Sequence, residues 1–231
     1  MTFDLIAPQY DKLWTDTPIG RAQRNQTWRH LDPLFAPGSR LLDIGCGTGE
    51  DAAHYTERGV VVHGTDPSAA MLELARKSGV QDAGQACYDA ALSNFGPFNF
   101  VGDLSAAARD LAAGLRPGAP AAICIIGRFC LWETLYYLVR LQARKAFRRL
   151  RGAAAWRDTT IYYPTVHQLA AAFGEDFTLT RWTGIALFVP PSYVGMPRPL
   201  VTMAAALDRI FAGLPGFRAL CDHRLLIFTR K

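Results

Sequence analysis

An apolar run that ends in three closely spaced glycines, Arg40-Leu41-Leu42-Asp43-Ile44-Gly45-Cys46-Gly47-Thr48-Gly49, constrains this chain more than any other feature. It reads as a buried parallel strand, a sharp turn and the start of a helix. Glu50–Arg58 is predicted as that helix, with Asp51 near its start and Gly59 just past its end. The alternation then repeats. Val60–Thr65 reads as a second strand, and a helix with Pro67 in its first turn runs to about Lys77, stopped by Ser78-Gly79. Tyr88–Ser93 is predicted as a strand, Leu104–Gly114 as a helix and Ala119–Ile126 as another strand. Strands separated by helices need crossover connections, so the fold class is α/β, a mostly parallel sheet with helices on both faces.

The second half is less regular. Leu131–Leu150 carries a long helical pattern and Thr165–Phe173 a shorter one, while Phe177–Val189 and Arg224–Thr229 read as closing strands. Pro190, Pro191, Pro197, Pro199 and Pro215 interrupt the stretch between those strands, leaving a short helix over Leu200–Phe211. Residues 127–163 and 190–222 are therefore expected as helical insertions, one after the fifth strand and one before the last. With 231 residues, half of them apolar, the chain has material for one core. Residues 1–231 are read as one domain.

The net charge of +5 is local. Arg128, Arg140, Arg144, Lys145, Arg148, Arg149, Arg151 and Arg157 face only Glu133 within their segment, so the remainder is slightly acidic. A protein that coats nucleic acid would spread its basicity differently, and nucleic acid is not an expected partner. Arg140, Arg144, Arg148 and Arg151 recur at helical spacing, which predicts one basic helix face. That face is read as solvated, as a peripheral membrane contact with anionic lipid through residues 131–151, or as a lid gripping an acidic substrate. Met1–Ile6 contains an acid and no apolar leader, and no apolar run is long enough to cross a bilayer, so a cytoplasmic location is expected. Cys46, Cys87, Cys124, Cys130 and Cys221 form no C-x-x-C pair; free thiols and no metal are expected.

The glycine turn carries the chemistry. Glycines let backbone approach a ligand with no Cβ between, and the helix start offers unpaired N–H groups. A dinucleotide fingerprint, G-x-G-x-x-G, would need glycine where Glu50 stands, and an acid there repels a pyrophosphate. A ligand with an amino-acid end fits better. Asp43–Gly49 resembles the E/D-x-G-x-G-x-G first motif of class I methyltransferases that use S-adenosylmethionine (SAM). Asp66 resembles the family acid that accepts both ribose hydroxyls, and Asp66-Pro67-Ser68-Ala69-Ala70-Met71-Leu72 is similar to the family's D-x-S-x-x-M-L run. Leu115-Arg116-Pro117-Gly118 resembles the turn before its fifth strand. The resemblance implies a Rossmann-like sheet, SAM as cofactor, and Asp43, Gly45, Cys46, Gly47, Asp66, Pro67 and Met71 as cofactor-binding residues.

Asn94 ends the strand where the family places residues beside the methyl group. It is read as a cofactor contact, with a turn role as the rival. The segment Asn94-Phe95-Gly96-Pro97-Phe98 lacks the adjacent prolines that mark methylation of exocyclic amines in nucleic acid. The opening Phe3-Asp4-x-Ile6-Ala7-Pro8-x-Tyr10-Asp11 is similar to the start of quinone-biosynthesis methyltransferases, which implies a helical lid over residues 1–30 with Tyr10 near the sulfonium. No catalytic residue is assigned; Tyr10 and His223 are the candidates, while His54, His63 and His167 read as packing or surface residues. Phe129, Trp132, Tyr136, Tyr137, Trp156, Phe188 and Tyr193 are read either as core or as walls for a small, lipophilic or aromatic acceptor.

One departure from the family stands out. Only Ser78–Cys87 separates the second helix from the next strand, where the family places a strand, an acid for the adenine amine and a crossover. The third strand is therefore expected to be missing or a stub, leaving the second strand at the edge. Asp82 or Gln85 is the substitute adenine partner. The expected function is methyl transfer from SAM to a small acceptor. The alternatives are a SAM-binding protein without transfer activity, or a membrane-surface or RNA-interacting module.

Overall fold

The computed structural model describes residues 2–84 and 87–231. The chain opens with α1 (Thr2–Ile6) and α2 (Pro18–Leu31), then alternates through β1 (Arg40–Ile44), α3 (Glu50–Thr56), β2 (Val61–Thr65) and α4 (Ala69–Lys77). A two-residue β3 (Gln81–Asp82), β4 (Ala90–Ser93), α5 (Leu104–Gly114) and β5 (Pro120–Ile126) complete the first half. α6 (Leu131–Val139), α7 (Ala143–Ala146), the hairpin of β6 (Ala153–Trp156) and β7 (Thr159–Tyr162), α8 (Val166–Phe173), β8 (Phe177–Ile185), α9 (Arg198–Phe211) and β9 (His223–Arg230) follow.

Among the described residues the main sheet has seven strands in the order β3-β2-β1-β4-β5-β9-β8. β1 to β5 run parallel, β9 lies antiparallel to β5, and β8 antiparallel to β9. β8 therefore points the same way as β1. The expected α/β, Rossmann-like sheet is what forms. β1 alternates faces: Leu41 belongs to the apolar cluster with Ala52, Tyr55, Val62 and Ala75, while Leu42 and Ile44 pack on the opposite cluster with Phe98 and Leu111. Both faces of the sheet are thus covered by helices.

The third strand is the stub that the short connection requires. Gln81 and Asp82 pair with His63 and Gly64, so the stub itself, not β2, is the edge. The chain then crosses to β4 without a helix among its described residues. Tyr88, expected within the strand, makes only an isolated bridge to Leu115, meets the His63 ring edge-on and exchanges hydrogen bonds with Gly84.

Other boundaries moved for identifiable reasons. Pro67 lies before the helix rather than in its first turn, because Ser68 is the cap and accepts from the Met71 N–H at 3.2 Å. The strand from Phe177 stops at Ile185, since Ala186 takes a left-handed φ of 63°. The N–H groups of Leu187, Phe188 and Val189 then donate to the Asp208 carboxylate instead of to a neighbouring strand. The long helix over Leu131–Leu150 does not exist. Arg148 and Arg149 donate to Glu133 at 2.7–3.2 Å, whereas 15 residues of straight helix would separate such groups by roughly 22 Å. The chain folds back at Leu141, whose φ is 56°. Arg140, Arg144, Arg148 and Arg151 therefore share no helix face. The insertion after β5 is also not all helical, since it ends in the β6–β7 hairpin.

Among the described residues no helix is long and apolar enough to cross a membrane. The parallel β1, β4 and β5 and the like-directed β8 all end on the same side, so the glycine turn and both insertions rise from one end of the sheet. Gly184 sits where the second insertion crosses β8. A Cβ there would lie 2.2 Å from Cys221 Sγ and 2.7 Å from the Ala212 carbonyl oxygen. Gly184→Ala should cost about 1–3 kcal/mol by overpacking against backbone that cannot yield, read as a lower urea midpoint at unchanged slope.

Candidate functional site

A cleft of about 930 Å³ opens at the ends of β1, β2 and β4, near the upper limit for small-molecule sites. The turn after β1 shapes one wall. Gly45, Gly47 and Gly49 have φ of 71°, 57° and 86°, the left-handed region that a Cβ disfavours. Their needs differ. A Cβ on Gly45 would meet the Pro97 ring at 2.4 Å, and one on Gly49 would meet Ala75 Cα at 2.9 Å. One on Gly47 would meet nothing within 4 Å, because Gly47 faces the open cleft.

Asp66 stands across from Gly47. One carboxylate oxygen accepts from the Gly47 N–H at 3.0 Å and the other from the Ser68 N–H at 2.8 Å. Burial pushes its pKa up, partly offset by these two bonds. Each oxygen retains a lone pair toward the cleft, where Pro67 and Met71 also lie. Ser68 is in turn held by Asp4 of α1, to which its hydroxyl donates at 2.6 Å. That contact fixes the opening segment against the start of α4, and it brings Phe3 and Tyr10 into the cleft wall. Burial raises the Tyr10 hydroxyl above its ordinary range.

Behind the glycine turn lies a polar cluster that the sequence reading missed. Asp51, in the first turn of α3, accepts from Arg24 at 2.5 Å, from the Trp28 indole at 2.6 Å and from the Asn94 amide at 3.1 Å. Arg21 pairs with the neighbouring Glu50. The signal was present as Arg21, Arg24 and Trp28 at helical spacing opposite Glu50-Asp51, but nothing local shows that the two segments meet. The acids at the turn are thus neutralised by protein cations. Asn94 lines the cleft, and its buried Oδ1 has no partner.

The other described residues expected at the site lie apart from the cleft. Asp43 is buried behind the turn and does not line the cleft; burial and the nearby Asp51 push its carboxyl well above the usual range. Cys46 also points away, its sulfur packed beneath Gly64, so only its backbone belongs to the turn. His223 is buried behind Phe95, whose ring it meets edge-on at 5.3 Å, and it does not reach the cleft. Burial holds its pKa down despite Asp222 at 3.5 Å. Asp82 is exposed and paired with Arg76 at 2.8 Å, away from the cleft, and Gln85 lies outside the described residues.

The acceptor walls were misplaced. None of Phe129, Trp132, Tyr136, Tyr137, Trp156, Phe188 and Tyr193 lines the cleft, and from the two insertions only Asp158 and Thr159 reach it. The aromatic lining comes from Phe3, Tyr10, Phe95, Phe98 and Phe100 instead. Phe95 holds a left-handed φ of 56° at the end of β4, strain of about 1–3 kcal/mol. Arg24 over its ring at 5.1 Å and His223 against its edge keep it there. The floor is Leu42 and Ile44.

A parallel α/β sheet with its cleft at the strand ends, a glycine turn on one side and a carboxylate on the next strand, defines a Rossmann-like nucleoside-binding protein. The methyltransferase domain family matches residues 21–179, and the chain belongs to that family. Its cofactor is SAM. The chain is 27% identical over 223 residues to the ubiquinone/menaquinone biosynthesis C-methyltransferase UbiE of Geotalea daltonii, covering 84% of this chain and 93% of that protein. It is 33% identical over 153 residues to the demethylmenaquinone methyltransferase of Corynebacterium kroppenstedtii, covering 60% of this chain and 66% of that protein. The crystal structure of a SAM-dependent methyltransferase from Mesorhizobium loti shares the fold, with a TM-score of 0.57 at 20% identity over 94% of this chain and 99% of that one.

The cleft fits the cofactor where it can be tested: a Cβ at position 47 would occupy cleft volume and nothing else. Gly47→Ala should therefore weaken SAM binding at least tenfold in calorimetric titration while costing only about 1 kcal/mol of stability through its φ. Gly45→Ala should lower stability by more than that, because Pro97 must also move.

Proposed function

We propose that the protein transfers the methyl group of SAM to a small, apolar, ring-bearing acceptor, of the quinone class that its relatives' names carry. In this reading the Gly45–Gly47 turn holds the methionine end, Asp66 accepts the ribose hydroxyls, and Pro67 and Met71 flank the adenosine. Asn94, fixed by the bond from its amide to Asp51, closes the cleft wall beside the cationic end of the cofactor. The observation that carries the acceptor class is the cleft beyond these residues. Its walls there are Phe95, Phe98, Phe100, Val101 and Leu111, with Leu42 and Ile44 as the floor.

SAM supplies an activated methyl group, so the chain's own residues need to align the acceptor and exclude water. α2, clamped to α3 by Arg24 and Asp51, and the opening segment held by Asp4 form the lid that does so. Tyr10, protonated, donates a hydrogen bond to an acceptor oxygen rather than removing a proton. His223 takes no part. The stub β3 supports a second reading, a SAM-binding protein without transfer, because Asp82 faces Arg76 and leaves the adenine edge without its acid. Incubation of the protein with SAM and a demethylated hydroquinone separates the two. S-adenosylhomocysteine released only with the acceptor present supports transfer; tight SAM binding with no product supports the second reading.

Asp66→Asn removes the charge that strengthens two hydrogen bonds to the ribose, and SAM affinity should fall roughly tenfold to a hundredfold. Protonation has the same effect. Because burial raises the Asp66 pKa, SAM affinity should decline on acidification at a pH above the ordinary carboxylate range. Titrations across pH check this: the decline should be absent in Asp66→Asn.

A further inference from the structure

The corner between α6 and α7 presents apolar side chains to solvent in a way that a water-facing surface does not require. Val139 is 82% and Leu141 93% exposed, and Leu135, Leu138, Phe147 and Leu150 are exposed beside them. Leu141 also holds the left-handed φ of 56°, where glycine or asparagine would sit at less cost. Cations surround this patch. Arg148 and Arg149 turn inward to Glu133 and Asp222, whereas Arg140, Arg144, Lys145 and Arg151 remain exposed. Between Arg128 and Arg157 the sole acid is Glu133, and it is buried. The exposed surface of the segment is therefore apolar and cationic, with no anion.

That combination selects among partners. A second copy docking through the same patch would set its cations against themselves. A single-stranded nucleic acid needs aromatic faces for its bases, whereas the two most exposed large apolar side chains here, Val139 and Leu141, are aliphatic and the aromatic Phe147 is about half as exposed. An anionic bilayer satisfies both halves at once: acyl chains take the aliphatic tips while lipid phosphates meet the cations.

We propose that the α6–α7 corner docks the protein on anionic phospholipid, with Leu138, Val139 and Leu141 entering the acyl boundary and Arg140, Arg144, Lys145 and Arg151 meeting the headgroups. The segment leaves the end of β5 at the end of the sheet where the cleft opens. Delivery of an acceptor from the bilayer rests on the apolar-acceptor reading above; the docking itself does not.

Co-sedimentation with vesicles tests it. The full chain should pellet with vesicles of equal parts phosphatidylcholine and phosphatidylglycerol, and not with phosphatidylcholine alone. Val139→Ser with Leu141→Ser should lower the partition coefficient about tenfold or more. Arg144→Ser with Lys145→Ser should do the same at low salt, an effect that vanishes at high salt. Both double variants should bind SAM with wild-type affinity, which shows that they fold and keeps this test separate from the methyltransferase reading. Protein that stays in solution beside anionic vesicles at low salt overturns the proposal. So does binding that the Val139→Ser, Leu141→Ser pair leaves unchanged, since that marks a purely electrostatic site. A dimer in lipid-free ultracentrifugation that this same pair abolishes would also overturn it.

Discussion

The buried pair of Arg24 and Asp51 holds three distant parts of the chain in one place. Asp51 stands in the first turn of α3, where the helix dipole favours an anion, and it accepts hydrogen bonds from α2 through Arg24 and Trp28 and from the end of β4 through Asn94. Removing one partner from such a pair leaves a buried charge, a loss of about 3–5 kcal/mol. The opening helices, the glycine turn and the strain-bearing Asn94-Phe95 segment are therefore positioned by the same carboxylate. The cleft exists because these three meet.

The short path from β3 to β4 sets the other dimension of the cleft. A helical crossover would cover the sheet face of β1, burying Leu42 and Ile44. Here Tyr88 packs edge-on against His63, no helix occurs among the described residues of the connection, and Leu42 and Ile44 line the cleft. The acid that the stub does carry, Asp82, is exposed and paired with Arg76 away from the cleft.

Charge in the second half of the chain serves two ends. Glu133 accepts from Arg148, from Arg149 and, at 2.5 Å, from the Tyr193 hydroxyl, tying the insertion after β5 to the one before β9. Burial alone would raise the Glu133 carboxyl, but Arg149 and Arg148 hold it below its usual range. Asp222 and Arg149, at 2.9 Å, close the cluster beside His223. What read as one basic helix face is therefore a structural pair facing inward and an exposed set facing out.

Sequence alone determined the parts governed by local rules. Glycines at 45, 47 and 49 had to turn backward, the apolar runs of β1, β4 and β5 had to lie inside, and ten residues could not hold a full strand with a helical crossover. The helices over Leu104–Gly114 and Thr165–Phe173 were legible from their apolar spacing, whereas the caps Asp103, Thr165 and Ser68 that start three of the helices emerge only in the structure. Tertiary structure decided everything that depends on which segments meet. Asp43 and Cys46 fell behind the turn, His223 behind Phe95, and the insertion aromatics outside the cleft. Leu131–Leu150 broke because the inward pull of Glu133 outweighs the helical propensity of its residues. Periodicity records which side of an element is buried; it does not record against what.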